Sequence, residues 1–237
     1  MAICVGVLSM VTPGLAEDAK GSIDDRAKKF IEAHEGKVRP LEITVNRAWW
    51  TANVTGKDED FKAKEEAQNR LDEALSDKKT FAQLKEIKEG KVQDPVLARQ
   101  IEVLHLQYLE KQVDPELLKK MTAKSNAIEK TFNTTRAKVG DKEMTDSEVR
   151  KVLKESKKVD ERKAVWEACK VVGARVEKEL KELVKLRNEA AHKLGFKDYH
   201  QMQLFLAEQS QEDVLKLFDQ LDELTRAPFQ QIKAEID

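Results

Sequence analysis

Lys178 to Leu194 reads Lys-Glu-Leu-Lys-Glu-Leu-Val-Lys-Leu-Arg-Asn-Glu-Ala-Ala-His-Lys-Leu. Leu183, Leu186, Ala190 and Leu194 fall at the three-and-four spacing of one helical face. Lys178 to Lys185 interleaves charge signs at helical spacing, the pattern of a solvated, self-paired surface. The same register recurs on both sides of this stretch. Leu97, Ile101, Leu104, Tyr108 and Leu109 form a second stripe, and Leu217, Leu221, Leu224, Ile232 and Ile236 a third. The punctuation between stripes is helical too. Ser22 precedes the acidic turn Ile23-Asp24-Asp25. Asp94-Pro95 and Asp114-Pro115 each place an N-cap acid before a proline suited to the first helical position. Thr145-Asp146-Ser147-Glu148 has capping-box spacing, and Ser210 with Asp213 is a looser version. No alternating strand of useful length appears. The expected fold is an all-α array of about nine or ten helices. They run over about 22–35, 39–53, 57–75, 77–89, 95–112, 115–138, 146–156, 159–173, 175–194, 198–207 and 211–237, some of them merging. The best internal boundary is the Gly140-Asp141 turn, which reads as a step between two helical layers.

Composition agrees with long, charged helices and excludes several functions. The 237 residues carry 43 basic and 44 acidic side chains, a net charge of −1, so a clustered basic excess for nucleic acid is lacking. No apolar run approaches the roughly 18–20 residues of a membrane span. Nine Gly and five Pro are too few for a turn-rich β-sandwich. The first residues, Ala2-Ile3-Cys4-Val5-Gly6-Val7-Leu8-Ser9-Met10-Val11, followed by Thr12-Pro13-Gly14-Leu15-Ala16, read as a secretory apolar region lacking its positive start, with cleavage after Ala16. That predicts a periplasmic or secreted protein whose mature part is 17–237. Removal of Cys4 leaves Cys169 without an intramolecular partner, as a small buried apolar residue. The final helix is still amphipathic at Ile232 and Ile236 when it reaches Asp237, so both ends read as cut.

The search for chemistry is mostly negative. A helical zinc hydrolase needs two His four residues apart with a Glu beside the first. His34-Glu35-Gly36-Lys37-Val38 has the first two and lacks the second His. No Gly-x-Ser-x-Gly, phosphate-binding Gly loop or Cys-x-x-Cys occurs. Glu102-Val103-Leu104-His105 and Glu189-Ala190-Ala191-His192 both have the Glu-x-x-His spacing of di-iron bundles. At about 100° per residue, however, His192 lies nearly opposite the Leu183–Leu194 stripe, so it would point out of the bundle. His105 reads as a hydrogen-bonded core histidine. Trp49, Trp50 and Trp166 are expected at helix–helix interfaces, with ligand stacking the sharper alternative. Asn53-Val54-Thr55 and Asn133-Thr134-Thr135 have glycosylation spacing, which is frequent by chance.

Four segments, in order, resemble the angiotensin-converting-enzyme-like zinc peptidyl-dipeptidases. Trp49-Trp50-Thr51-Ala52-Asn53-Val54-Thr55-Gly56 resembles an early helix with a Trp before Asn-x-Thr. Asp94-Pro95-Val96-Leu97-Ala98-Arg99 is similar to an Asp-Pro-x-Leu-x-Arg helix, and Ala164-Val165-Trp166-Glu167-Ala168-Cys169-Lys170 to Ala-Trp-Glu-x-Trp-Arg. Leu186 through Asn188-Glu189-Ala190 to Gly195-Phe196-Lys197-Asp198 is similar to the family's Asn-Glu-Ala-x-x-x-x-Gly-Phe-x-Asp. The resemblance runs from about Asp24 to Asp237. It implies the lid half of a two-lobed helical metallopeptidase that releases C-terminal dipeptides from short peptides. Zinc would be held by a His-Glu-x-x-His helix in the other half, so no catalytic or metal residue is expected here and no activity from this chain alone. Lys170 stands where the family has an Arg that helps bind an activating chloride. It keeps the charge without the planar fork, and Cys169 replaces the neighbouring Trp. A stand-alone helical interaction module and a di-iron bundle are the rival readings.

Overall fold

The computed structural model describes residues 21–237; the secretory segment and Cys4 lie outside the described residues. Among these residues the chain forms α1 (Ile23–Thr55), α2 (Asp58–Leu75), α3 (Lys78–Glu89), α4 (Pro95–Glu110), α5 (Pro115–Thr134), α6 (Asp146–Glu155), α7 (Val159–Lys193), α8 (Tyr199–Leu206) and α9 (Gln211–Ile236). One small hairpin, β1 (Ala137–Val139) and β2 (Lys142–Met144), interrupts them. The fold is all-α in class, as the patterning implies.

The caps sit where local chemistry puts them. Ser22 and Asp25 form a reciprocal capping box at α1, and Thr145 with Glu148 does the same at α6. Asp94 accepts from the Val96 and Leu97 amides, and Asp114 from those of Glu116 and Leu117, each ahead of a proline whose missing N–H costs nothing there. Ser210 receives the Asp213 amide at 3.3 Å.

Two neighbouring pairs of the expected helices form single helices, as the allowance for merging admits, and one expectation needs correction. The break between about 35 and 39 does not occur, because α1 runs straight through Gly36 and Pro40. Pro40 lacks the N–H that would reach the Gly36 carbonyl, but Val38 between them is fully buried, and its packing outweighs one missing bond. Likewise α7 continues through Gly173, since Val165, Val176, Leu183 and Ala190 keep a single buried face across it. The correction is the hairpin. α5 stops at Thr134, and Ala137, Lys138 and Val139 pair antiparallel with Met144, Glu143 and Lys142. Gly140, at φ +60, makes the turn, so Gly140-Asp141 is a hairpin tip and not a step between layers. Three residues per strand is too short for alternation to register in sequence.

Packing divides into three clusters strung along the chain. α1, α3 and α4, with the end of α2, bury Phe30, Val38, Leu75, Leu84, Ile87, Ile101 and Tyr108. Leu117 and Leu118 of α5 meet Ala190 of α7, with Leu186 and Leu194 alongside. The hairpin and α6 bury Ala137, Met144 and Val149 against Val165 at the other end of α7, with Cys169 half-buried beside them. The 35-residue α7 therefore ties two clusters together. The Lys178–Lys185 face is not wholly self-paired: Lys181 does bond Glu177, but Lys124 of α5 reaches both Glu179 and Glu182, at 2.5 and 2.6 Å.

Gly56 closes α1 in the left-handed region at φ +68, its N–H on Ala52 O. A Cβ there would meet Thr134 Cγ2 at an ordinary 3.5 Å, so the penalty for a side chain is backbone strain alone. Gly56→Ala should cost about 1–2 kcal/mol in denaturant unfolding, and Gly56→Asn clearly less.

Candidate functional site

The motif Trp49–Gly56 closes a polar knot between α1, α2 and α5. Asn53 Nδ2 donates to Trp49 O and to Glu129 Oε1, both at 2.9 Å, and Lys64 Nζ takes the other Glu129 oxygen. Asn133 Nδ2 donates to Asn53 Oδ1. Burial pushes the Glu129 carboxyl up, yet the hydrogen bonds of Lys64, Asn53 and Trp49, with the Lys64 charge, outweigh it and hold the group below its usual range. Both asparagines of the glycosylation-like triplets are thus spent on each other. The indole rings are not core: Trp49 is 47%, Trp50 67% and Trp166 52% exposed, contrary to the interface expected for them. Trp49 gives its carbonyl to Asn53, while Trp50 and Trp166 stand off the packed faces.

The residues picked out for metal chemistry are kept apart. His34 Nδ1 lies 3.2 Å from the Tyr108 hydroxyl, and Val38, at the position a second zinc-ligand His would need, is fully buried in the core. Glu102 faces Arg99 at 3.9 Å and Glu189 bonds Lys193 at 2.8 Å. His192 is exposed, its Nε2 2.8 Å from Lys197 O. Among the described residues no group of three or more His, Cys, Asp or Glu side chains is placed to hold a metal ion. The residues present therefore do not fit a zinc or di-iron donor set.

His105 is packed, but not hydrogen-bonded as expected. Its ring stacks on Phe81 at 5.3 Å, and its buried Nδ1 has no partner. Burial lowers its pKa, aided by Lys88 and Lys85 and opposed by Glu102 and Glu89. With the folded value below the ordinary 6.5, the unfolded chain takes up the proton first as pH falls. The stability from neutral His105 is complete above about pH 6.5 and is lost as pH drops through the folded pKa. Thermal midpoints between pH 7 and 5 should fall, and His105→Leu should flatten part of that slope.

Lys170 is exposed on α7 with its Nζ 5.4 Å from the centre of the Trp166 ring.

Two kinds of surface remain open. A groove of about 380 Å³ runs between α1 and α4, floored by Ile31, Val103 and Leu104 and rimmed by His34, Arg39 and Arg99. Arg99 forks onto the Glu208 carboxylate beyond α8 and so carries its charge already neutralised. The groove can hold a short chain segment, and Glu35 and Glu42 join His34 in its polar lining. The second kind is apolar. Val159, Trp166 and Leu180 lie in steps of seven along α7, with Val184 one turn on, about 100° around from the buried stripe. All four are exposed, and Gly173 on the same line has open space above it. α9 goes further, for none of its 26 residues is buried. Leu217, Phe218, Leu221, Leu224, Phe229 and Ile232 all face solvent, and α9 meets the remainder of the chain through α8. The spacing found this amphipathic face, and the structure leaves it uncovered.

Sequence reasoning passed over Glu129 and Lys64, which carry no local spacing signal, and found in Asn133 only its glycosylation spacing; all three lie 65 to 80 residues from their partners. The family model of peptidase M2, described as angiotensin-converting enzyme, matches residues 22–234. No curated protein matches the chain.

Proposed function

Because this chain belongs to the angiotensin-converting enzyme family of metallopeptidases, we propose that it is the helical lid and docking half of a zinc-dependent peptidyl-dipeptidase. In this reading the exposed faces of α7 and α9 seat the half that carries His-Glu-x-x-His, and the α1–α4 groove lies along the route of short peptides. Zinc, held by that other half, would activate the water that cleaves the peptide; the residues described here bind none of the metal. Their work is to exclude long chains and bury the apolar faces of the assembled cleft. The apolar stretch ahead of Ala16 supports export to the periplasm or beyond.

The observation that carries the reading is α9. A 26-residue amphipathic helix with no buried residue, attached to a chain with three ordinary core clusters, is a surface prepared for a large partner. Co-expression with a family half bearing His-Glu-x-x-His should give a one-to-one complex that releases dipeptides from an internally quenched short peptide. The 237-residue chain with added zinc should release none. Leu217→Asp with Leu221→Asp should abolish the complex while leaving the circular dichroism of the free chain intact. Dipeptide release by the chain alone would overturn the proposal, as would failure of the two halves to associate. The same face would also serve a non-enzymatic interaction module, and association without any gain of peptidase activity selects that reading.

A further inference from the structure

A second cavity, of about 280 Å³, opens between α2, α5 and α7, with the ends of α4 and α8 closing one side. It is polar, and most of its charges are matched. Lys111 Nζ lies 3.2 Å from Asp72 and 3.4 Å from Glu110, and Lys64 pairs with Glu129. Two lining groups of opposite sign are left over. Glu65 has no cation within ion-pair distance among the described residues. Arg187 has no carboxylate within ion-pair distance among the described residues, its guanidinium lying instead 5.1 Å from the centre of the Tyr199 ring. A third group is unsatisfied outright. Asn126 is 8% exposed; its Nδ2 donates to Phe61 O at 3.0 Å and Glu65 Oε2 at 3.3 Å, while its buried Oδ1 has no partner. The amide cannot be turned round to cure this, because Phe61 O and Glu65 are both acceptors and require the NH₂ on their side.

The unmatched groups are therefore two acceptors, one of them anionic, and one planar cationic donor fork. An orphaned buried oxygen costs about 1–3 kcal/mol, and a single water would answer it without matching Glu65 or Arg187. A molecule with an ammonium at one end and a carboxylate at the other answers all three. We propose that this cavity binds a small zwitterion, a free amino acid or dipeptide. Its ammonium donates to Asn126 Oδ1 and Glu65, and its carboxylate takes the fork of Arg187, which stacking on Tyr199 holds in place. The volume of about 280 Å³ lies just below the roughly 300–1,000 Å³ typical of sites for drug-sized ligands, which suits a smaller molecule. The site uses none of the α9 face, so it stands or falls separately from the docking role.

Calorimetric titration of the 237-residue chain with L-alanine and L-alanyl-L-alanine tests it. At least one should bind saturably. Its N-acetylated and C-amidated forms should each bind about tenfold more weakly or worse, since each deletes one charge-assisted contact. Arg187→Gln should weaken the zwitterion by a similar factor while leaving the C-amidated form unchanged, and Glu65→Gln should leave the N-acetylated form unchanged. The blocked ligands need no variant, so a misfolded mutant cannot shield the proposal. Absence of saturable binding by both probes would overturn it. So would equal binding of the blocked forms, or crystals grown with the probe that hold only water in the cavity.

Discussion

Lys111→Met should destabilise the chain by about 3–5 kcal/mol, an effect out of proportion to one lysine. Asp72 is the reason. It is 4% exposed, and its carboxylate is served by Lys111 at 3.2 Å, Gln68 at 3.0 Å and Thr122 at 3.2 Å. Methionine fills the space of the lysine stem but leaves a buried carboxylate with only neutral donors. Burial pulls the Lys111 pKa down, and the charges of Glu110 and Asp72, with their hydrogen bonds, reverse that and raise it above its ordinary 10.5. The pair thus contributes fully below about pH 10.5 and weakens only as pH climbs through the raised value. Replacing both partners, Asp72→Leu with Lys111→Met, should recover most of the loss, because no charge is then stranded. Urea unfolding of the two singles and the double gives the coupling directly. A single-mutant loss below about 1 kcal/mol would mean that water reaches Asp72.

What sequence could and could not disclose follows from the range of each interaction. Asp94-Pro95, Asp114-Pro115 and Thr145 with Glu148 satisfy amides two or three residues away, so their helix starts could be read directly. The stripes on α4 and α7 were equally legible, for burial at three-and-four spacing is written in the chain. Pro40 and Gly36 left open which neighbouring helices merge, because whether a helix survives them depends on what Val38 packs against, which is a tertiary matter. The hairpin was lost to its shortness. The resemblance found the family, but the meaning of its segments was partly hidden. Asn53 ties the Trp49 carbonyl on α1 to Glu129 of α5, a partner 76 residues away that no local spacing announces. The α9 stripe shows the opposite limit. Its spacing is as regular as that of α7, and only the structure reveals that one is covered and the other open.

The other large effect should come from Tyr108. It is 1% exposed at the centre of the α1–α3–α4 cluster, its ring tilted against Phe30 at 6.2 Å and against His34 at 5.6 Å. Tyr108→Ala removes a whole buried ring where three helices meet, and the expected loss is about 3–5 kcal/mol, enough to empty the folded state of a marginal domain. Tyr108→Phe separates the ring from its hydroxyl. It deletes the 3.2 Å contact with His34 Nδ1 and should cost about 1 kcal/mol at neutral pH. Burial already lowers the pKa of His34, with Glu42 and Glu35 pulling the other way. Its neutral form is therefore the one that stabilises the fold, fully above about pH 6.5 and less as pH falls through the lowered value. The hydroxyl accepts more strongly from a protonated ring than from a neutral one, because that bond is charge-assisted. Its removal should thus depress the His34 pKa further and steepen the acid loss below pH 6.5. Chemical unfolding of the Phe and Ala variants at pH 7 and pH 5.5 separates the two parts. A Phe variant whose pH slope matches the parent would show that His34 and Tyr108 do not share the bond, whereas a stable Ala variant would mean that the cluster refills around the void.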